Sequence, residues 1–442
     1  MNRLKKVWMG FFMVAISINS FGQDSTKTEK IKTGWNFGAI PVISYNSDLG
    51  LQYGALTNIY NYGDGKAYPM YYHSFYAEVS RFTKGSGIYR IFYDSKYLIP
   101  NIRFTADFSY LPDQAFDFYG FNGSQAVYNK DWKDDESDDY KTRMFYKHKK
   151  NMLRTRFDFQ GKTGINHLNW AAGILFNNVE IATVDIDKLN KGKEGNDTLP
   201  HVPTLFDQYV DWKIIKENEK TGGFFTSVKA GLVYDTRDNE PNPMKGIWSE
   251  AVLSQTLNND FKYTKLSVTH RQYFTLVKNN LSFVYRIGYQ GIIAGDAPFY
   301  NLPEMVFSYT PSASVDGLGG SKSVRGMVRN RVIGNGIVYG NLEFRWKFVK
   351  FNWINQNFYL ALSPFVDFGK VVQEKEVDKS GIPVTVLQSE YFNEGKDEFH
   401  ITYGSGFRIA MNQNFIIAVD AGFPANKEDG DMGLYIGLNF LF

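Results

Sequence analysis

Between Leu318 and Phe348 the chain reads LGGSKSVRGMVRNRVIGNGIVYGNLEFRWKF, a glycine-flanked arginine loop that runs straight into an alternating strand. In the strand, Asn341, Glu343, Arg345 and Lys347 share one face, while Leu342, Phe344, Trp346 and Phe348 share the other. A soluble sandwich buries such an apolar face and wets the polar one. A membrane barrel does the reverse, turning the apolar face to lipid and the charges to a lumen.

The chain ends separate these two readings. Arg3, Lys5 and Lys6 precede an apolar run from Val7 to Ile18, and Ser20-Phe21-Gly22 then supplies small residues for cleavage, so residues 1–22 read as a secretory signal peptide. The run is about a dozen residues, short of the roughly 20 that a spanning helix needs. Residues 23–34 form a short polar segment, and the expectation is one barrel over 35–442 with no periplasmic domain of its own. At the other end Leu434, Ile436, Leu438, Phe440 and Phe442 alternate as one apolar face. A strand this apolar, with nothing after it to cover it, points to lipid, and its terminal Phe resembles the recognition signal of bacterial outer-membrane barrels.

Composition agrees with many extended segments: 29 Tyr, 37 Phe and 40 Gly stand beside only 14 Pro. No cysteine is present, which excludes disulfides, thiolate metal sites and a lipid-modified N-terminal cysteine. Without the three basic leader residues the formal charge of +3 falls to zero, so nothing draws the chain to nucleic acid. Counting alternating segments back from Phe442 predicts an all-β fold, a 16-stranded antiparallel transmembrane barrel, its strands running from about 35–45 to about 432–442. Parity then makes the long connections 112–143, 179–222, 292–336 and 373–398 extracellular.

Four patches, Leu318-Gly319-Gly320 with Val324-Arg325-Gly326-Met327, Asn341-Leu342-Glu343-Phe344-Arg345, Asp235-Thr236-Arg237-Asp238-Asn239 with Pro243-Met244-Lys245-Gly246, and Phe365-Val366-Asp367-Phe368-Gly369, together resemble the BamA/TamA family of outer-membrane barrels, also called bacterial surface antigen. The terminal strand fits too. The resemblance is strong over about 224–442. It implies that loop 292–336 folds into the lumen, where Arg325 meets the acidic strand residue Asp367. Glu343 and Asp420 are further lumenal carboxylates by alternation. Asp235, Arg237, Asp238, Pro243 and Gly246 would form a periplasmic turn, and Tyr435, Leu438, Phe440 and Phe442 a C-terminal assembly signal. Two departures stand out: Met327 occupies a place that is usually aromatic, and the POTRA repeats that receive clients in that family are expected to have no counterpart here.

Other chemistries find little support. The acidic run Lys130 to Asp139 matches no calcium-loop spacing and reads as a solvated loop. Gly317 to Ser323 breaks the phosphate-loop order, and neither a paired-histidine metal motif nor a nucleophile elbow occurs. The expectation is therefore no enzyme, no metal and no cofactor. The function expected is insertion or translocation of outer-membrane components, with a passive channel or a structural subunit of a larger complex as the alternative. Expected partners are outer-membrane lipid and lipopolysaccharide, the barrel assembly machinery for the chain's own insertion, and partner subunits in the periplasm or outer membrane.

Overall fold

Strands with a two-residue polarity period can satisfy every backbone group in lipid only by pairing side by side into a wall. The computed structural model shows that solution. It describes residues 31–442 apart from 47–49, 69, 241, 259, 311–315, 355 and 413–414, so the signal peptide expected over residues 1–22 lies outside the described residues. The strands are β1 Trp35–Asn46, β2 Gly50–Asn61, β3 His73–Phe82, β4 Gly87–Ile99, β5 Ile102–Asp117, β6 Lys147–Lys162, β7 Leu168–Ala182 and β8 Gly222–Asp235. They continue as β9 Gly246–Thr256, β10 Tyr263–Val277, β11 Leu281–Gly295, β12 Gly336–Trp353, β13 Gln356–Gln373, β14 His400–Met411, β15 Phe415–Pro424 and β16 Gly433–Leu438. All sixteen pair antiparallel with their sequence neighbours in the order β1 to β16.

The wall is turned inside out relative to a soluble protein. On β12, Asn341 and Glu343 are 0% exposed and Arg345 1%, while Phe344 and Trp346 are 45% and 50% exposed. The same inversion recurs on β4, where Arg90 and Asp94 are buried and Ile91 is exposed. Burial of charges against exposed aromatics is stable only when the outer solvent is lipid. This is the transmembrane β-barrel that the alternation predicts.

Strand limits depart from expectation where the wall rises above the lipid level. β5 continues to Asp117, β7 to Ala182 and β11 to Gly295, well past the predicted ends near 111, 178 and 291. There the long connections pack on one another, and both faces are covered: Ala115, Phe116 and Asp117 are all buried. Aromatic side chains bind these connections together, with Trp132 to Phe145 ring centroids 4.9 Å apart and Trp212 to Tyr391 5.0 Å apart. A short helix, Leu205–Asp211, joins this layer and starts with a capping box between Thr204 and Asp207.

The last strand requires a correction. Expected to run to Phe442, β16 stops at Leu438, because Asn439 takes a left-handed backbone with φ of 68°. Phe440 and Phe442, expected on the lipid face, are instead buried. A closed barrel requires its first and last strands to pair, yet among the described residues no rung joins β1 to β16. Where β16 leaves the wall, the start of β1 meets β15 directly, and a Cβ at Gly38 would lie 3.9 Å from the Phe415 ring.

Candidate functional site

The interior is built from side chains that strand alternation aims inward. β12 supplies Asn341, Glu343 and Arg345, β13 supplies Asp367, β14 supplies Arg408 and β15 supplies Asp420, all of them buried. The 296–335 connection enters this space and sets Arg325 at its centre.

Arg325 makes a two-pronged contact with Asp367, Nε to Oδ2 at 2.8 Å and Nη2 to Oδ1 at 3.0 Å. Its own backbone N–H also donates to Asp367 Oδ2, at 3.0 Å. Nη1 donates to Glu343 Oε2 at 3.0 Å and lies 3.5 Å from Asp420 Oδ1. The guanidinium stacks 3.6 Å above the Phe365 ring. Arg345 joins Glu343 at 2.9 Å and Arg408 joins Asp420 at 2.8 Å, so three arginines meet three carboxylates without net charge. Planar forks suit carboxylates geometrically, which is why such a cluster can be dry.

Glycine makes the approach feasible. Gly326 has φ of 100°, and a Cβ there would sit 2.6 Å from the carbonyl carbon of Gly422. The two glycines let the loop tip touch the β15 backbone. Tyr435 Oη accepts from Gly326 N–H at 3.0 Å, so this β16 residue faces the lumen and clasps the tip. Met327 is buried with Val324, Leu318 and Val332, an apolar knot that fills the position without an aromatic ring.

The rest of the connection is hung on the opposite wall through its backbone. Lys229 donates to Phe307 O at 2.5 Å, Arg156 to Thr310 O at 2.8 Å and Ser267 to Val306 O at 2.7 Å. Arg329 then bridges to Asp113 at 3.0 Å and Asp117 at 2.7 Å on β5. Two pockets between connection and wall, one beside Arg154 and Glu304 and one beside Lys229 and Phe307, hold about 20 and 40 Å³, room for a few waters each.

The terminal residues form a second lumenal knot. Arg345 donates to Phe442 O at 2.7 Å and lies 4.2 Å over the Phe440 ring, and Phe442 packs with Tyr273 and Val284. Leu438 stays in the wall, paired with Ile417.

The 235–246 turn is separate from the arginine cluster. Asp235 grips Arg237 at 2.9 Å, and Arg237 stacks 4.3 Å over Trp248. Asp238 accepts from the N–H groups of Met244 and Lys245, at 3.0 and 3.2 Å, and Pro243 is buried. Gly246, at φ of 107°, passes so close to Thr236 O that a Cβ would lie 2.3 Å from it. The sequence reading overlooked Glu240, which reaches β4 and β5 from this turn: its carboxylate meets Arg103 at 2.6 Å and Lys96 at 2.8 Å. Burial opposes that charge, yet Arg103, Lys96 and Arg237 hold the carboxyl well below the usual carboxylate range. It also overlooked Asp107, clasped by Arg90 at 2.7 Å and Arg156 at 3.0 Å, although alternation on β4 to β6 was the available signal. The carboxylates of the acidic 130–139 run lie toward the surface, and among the described residues no group of His, Cys, Asp and Glu is placed to hold a metal ion.

An inverted antiparallel wall around a loop-filled lumen defines an outer-membrane β-barrel of the bacterial envelope. The chain belongs to the Omp85 superfamily: the model of the Omp85 superfamily domain matches residues 81–442. Among solved structures, the chain is similar to CdiB from Escherichia coli, with a TM-score of 0.53 and 10% identity over 92% of this chain and 62% of that one. It is also similar to BamA from Haemophilus ducreyi lacking POTRA domains 1–3, with a TM-score of 0.49 and 14% identity over 92% of this chain and 70% of that one. These likenesses concern the fold, and the chain spans less than two thirds of the CdiB structure. A sequence search of curated proteins finds no match.

Proposed function

We propose that this barrel inserts or translocates outer-membrane components through the junction of β1 and β16. The observation that carries the proposal is the contrast between a filled lumen and an unjoined seam. A passive channel needs an open interior, whereas here the 296–335 connection enters it and is pinned there, by Arg325 on Asp367 and by Lys229, Arg156 and Ser267 on its backbone. The ladder is continuous from β1 to β16 yet lacks rungs between its two ends among the described residues. Exposed strand edges accept further strands. Pro41, on β1, has no N–H to offer a neighbour, which weakens that edge as a partner for β16. Omp85 membership supports insertion or translocation in general terms. A periplasmic partner subunit that delivers clients completes the proposal.

The test uses the absence of native cysteine. Ile43→Cys on β1 and Ile436→Cys on β16 replace exposed residues, and a bifunctional thiol reagent ties the two edges together. The account expects the tied barrel to lose its contribution to outer-membrane assembly or export, with recovery when a cleavable tie is cut. A tied barrel that supports every wild-type phenotype would overturn it.

A further inference from the structure

Outside the lumen, one part of the wall carries polar chemistry where lipid-facing residues should be apolar. Near the long-connection rim of β3 to β6, an open cavity of about 450 Å³ is lined by Arg81, Tyr89, Tyr110, Asn151, Lys149 and Lys188, with Gln114 at its edge. Alternation places the strand residues among them on the outer face. Arg81 is two residues beyond exposed Val79, and Asn151 and Lys149 follow exposed Leu153 on the same side of β6. Register lines them up across the sheet, with Val79 opposite Tyr89, Tyr89 opposite Tyr110, Tyr110 opposite Leu153 and Pro112 opposite Asn151.

From the apolar band outward, the wall therefore reads in three tiers. Ile91 and Phe108 are exposed at the hydrocarbon level. Tyr89 and Tyr110 stack above them with centroids 5.9 Å apart, as in an interfacial aromatic girdle. Arg81, Lys149 and Lys188 stand above the tyrosines, at headgroup depth.

The cations are held in place. Among the described residues neither Arg81 nor Lys149 forms an ion pair, while Lys188 Nζ donates to Gln114 Oε1 at 3.4 Å. Gly85, at φ of 104°, clears the path of Lys188, since a Cβ there would lie 2.6 Å from its Nζ. The neighbouring Lys84 anchors the helical segment that carries Lys188 by donating to Lys191 O at 2.5 Å. Of the carboxylates nearby, Glu180 accepts from Asn151 at 3.3 Å and Asp185 from the Lys188 backbone N–H at 3.0 Å.

We propose that this cavity binds the phosphorylated headgroup of a glycolipid in the leaflet at the long-connection rim. Phosphate answers the three cations, the amides of Gln114 and Asn151 suit sugar hydroxyl and amide groups, and the acyl chains continue down over Leu153, Phe108 and Ile91. A free anion would use the cations alone and leave the apolar tier idle. The inference does not depend on whether the seam opens.

Native mass spectrometry of the delipidated full barrel tests it, with a diphosphorylated lipid A, its dephosphorylated form, phosphatidylglycerol and inorganic phosphate as probes. Wild type should retain one phosphorylated glycolipid. The Arg81→Ala/Lys149→Ala/Lys188→Ala variant should bind roughly tenfold or more weakly. The conservative Arg81→Lys/Lys149→Arg variant should retain binding, and unchanged heat-modifiable migration shows that the variants fold. Equal binding by the triple variant or by the dephosphorylated lipid would overturn the site. Equal retention of phosphatidylglycerol would overturn the glycolipid, and full displacement by inorganic phosphate would show a small-anion site instead.

Discussion

The wall around the arginine cluster and the wall at the seam are made of the same kind of strand, yet they are held in opposite ways. β12 and β13 pair from Gly336 opposite Gln373 to Trp353 opposite Gln356, and their inner faces are cross-braced by Arg325, Glu343 and Asp367. β16 pairs with β15 only from Gly433 to Leu438, and then its chain turns inward. One region spends buried charge to fix a loop, and the other leaves backbone edges unspent.

The largest effect that would break this contrast is on the cluster. Arg325→Ala leaves Asp367 buried without its partner and Glu343 with Arg345 alone, a loss of about 3–5 kcal/mol for a desolvated pair. The 296–335 connection should become protease-sensitive, and conductance should appear in planar bilayers. Arg325→Lys should rescue little, since one ammonium cannot reproduce the two-pronged contact. Retained protection in Arg325→Ala would show that the backbone contacts on β6 to β11 suffice alone.

Next in size is Phe442→Ala, which empties the place between Tyr273 and Val284 and removes part of the aromatic cover of Arg345. Phe-to-Ala changes in cores cost about 3–5 kcal/mol, and the edge of a lumen should fall below that range. As a proposed assembly signal, the same residue should also matter for insertion. A lower yield of folded barrel with normal export is the expected outcome, and an unchanged yield would remove both roles.

A smaller, graded effect concerns the short-turn end. Glu240 titrates lower in the folded barrel than in the unfolded chain, so its contribution is complete above the ordinary glutamate value of about 4.3 and is lost as pH falls below it. The heat-modifiability midpoint should therefore drop on acidification below about pH 4. Glu240→Gln should be less stable at neutral pH and should flatten that part of the profile. An identical acid profile in the variant would assign the transition to other carboxylates.

Much of the architecture was legible because lipid and lumen impose opposite polarity on adjacent residues. Leu342 to Phe348 shows this in a single strand, and the same rule located Glu343 and Asp420. The Arg325 and Asp367 pairing came from family resemblance, since no local pattern relates residues so far apart in sequence. The inward turn after Leu438 was invisible because Phe440 keeps the alternation of Ile436. One left-handed Asn439 re-aims the tail, and the pocket that receives it is assembled from β10, β11 and β12. Tyr435 was read with the terminal signal, and only the fold shows its hydroxyl on Gly326. Strand ends such as Phe116 and Asp117 escaped because both faces are covered there and alternation ceases.

Hydrogen exchange of the intact barrel in lipid nanodiscs compares the two regions most directly. The account predicts that amides of β1 and β16 exchange far faster than those of β12 and β13, with the 296–335 connection protected at Arg325. Equal protection of all four strands would mean a seam joined like the rest of the wall, and the proposed gate would be gone.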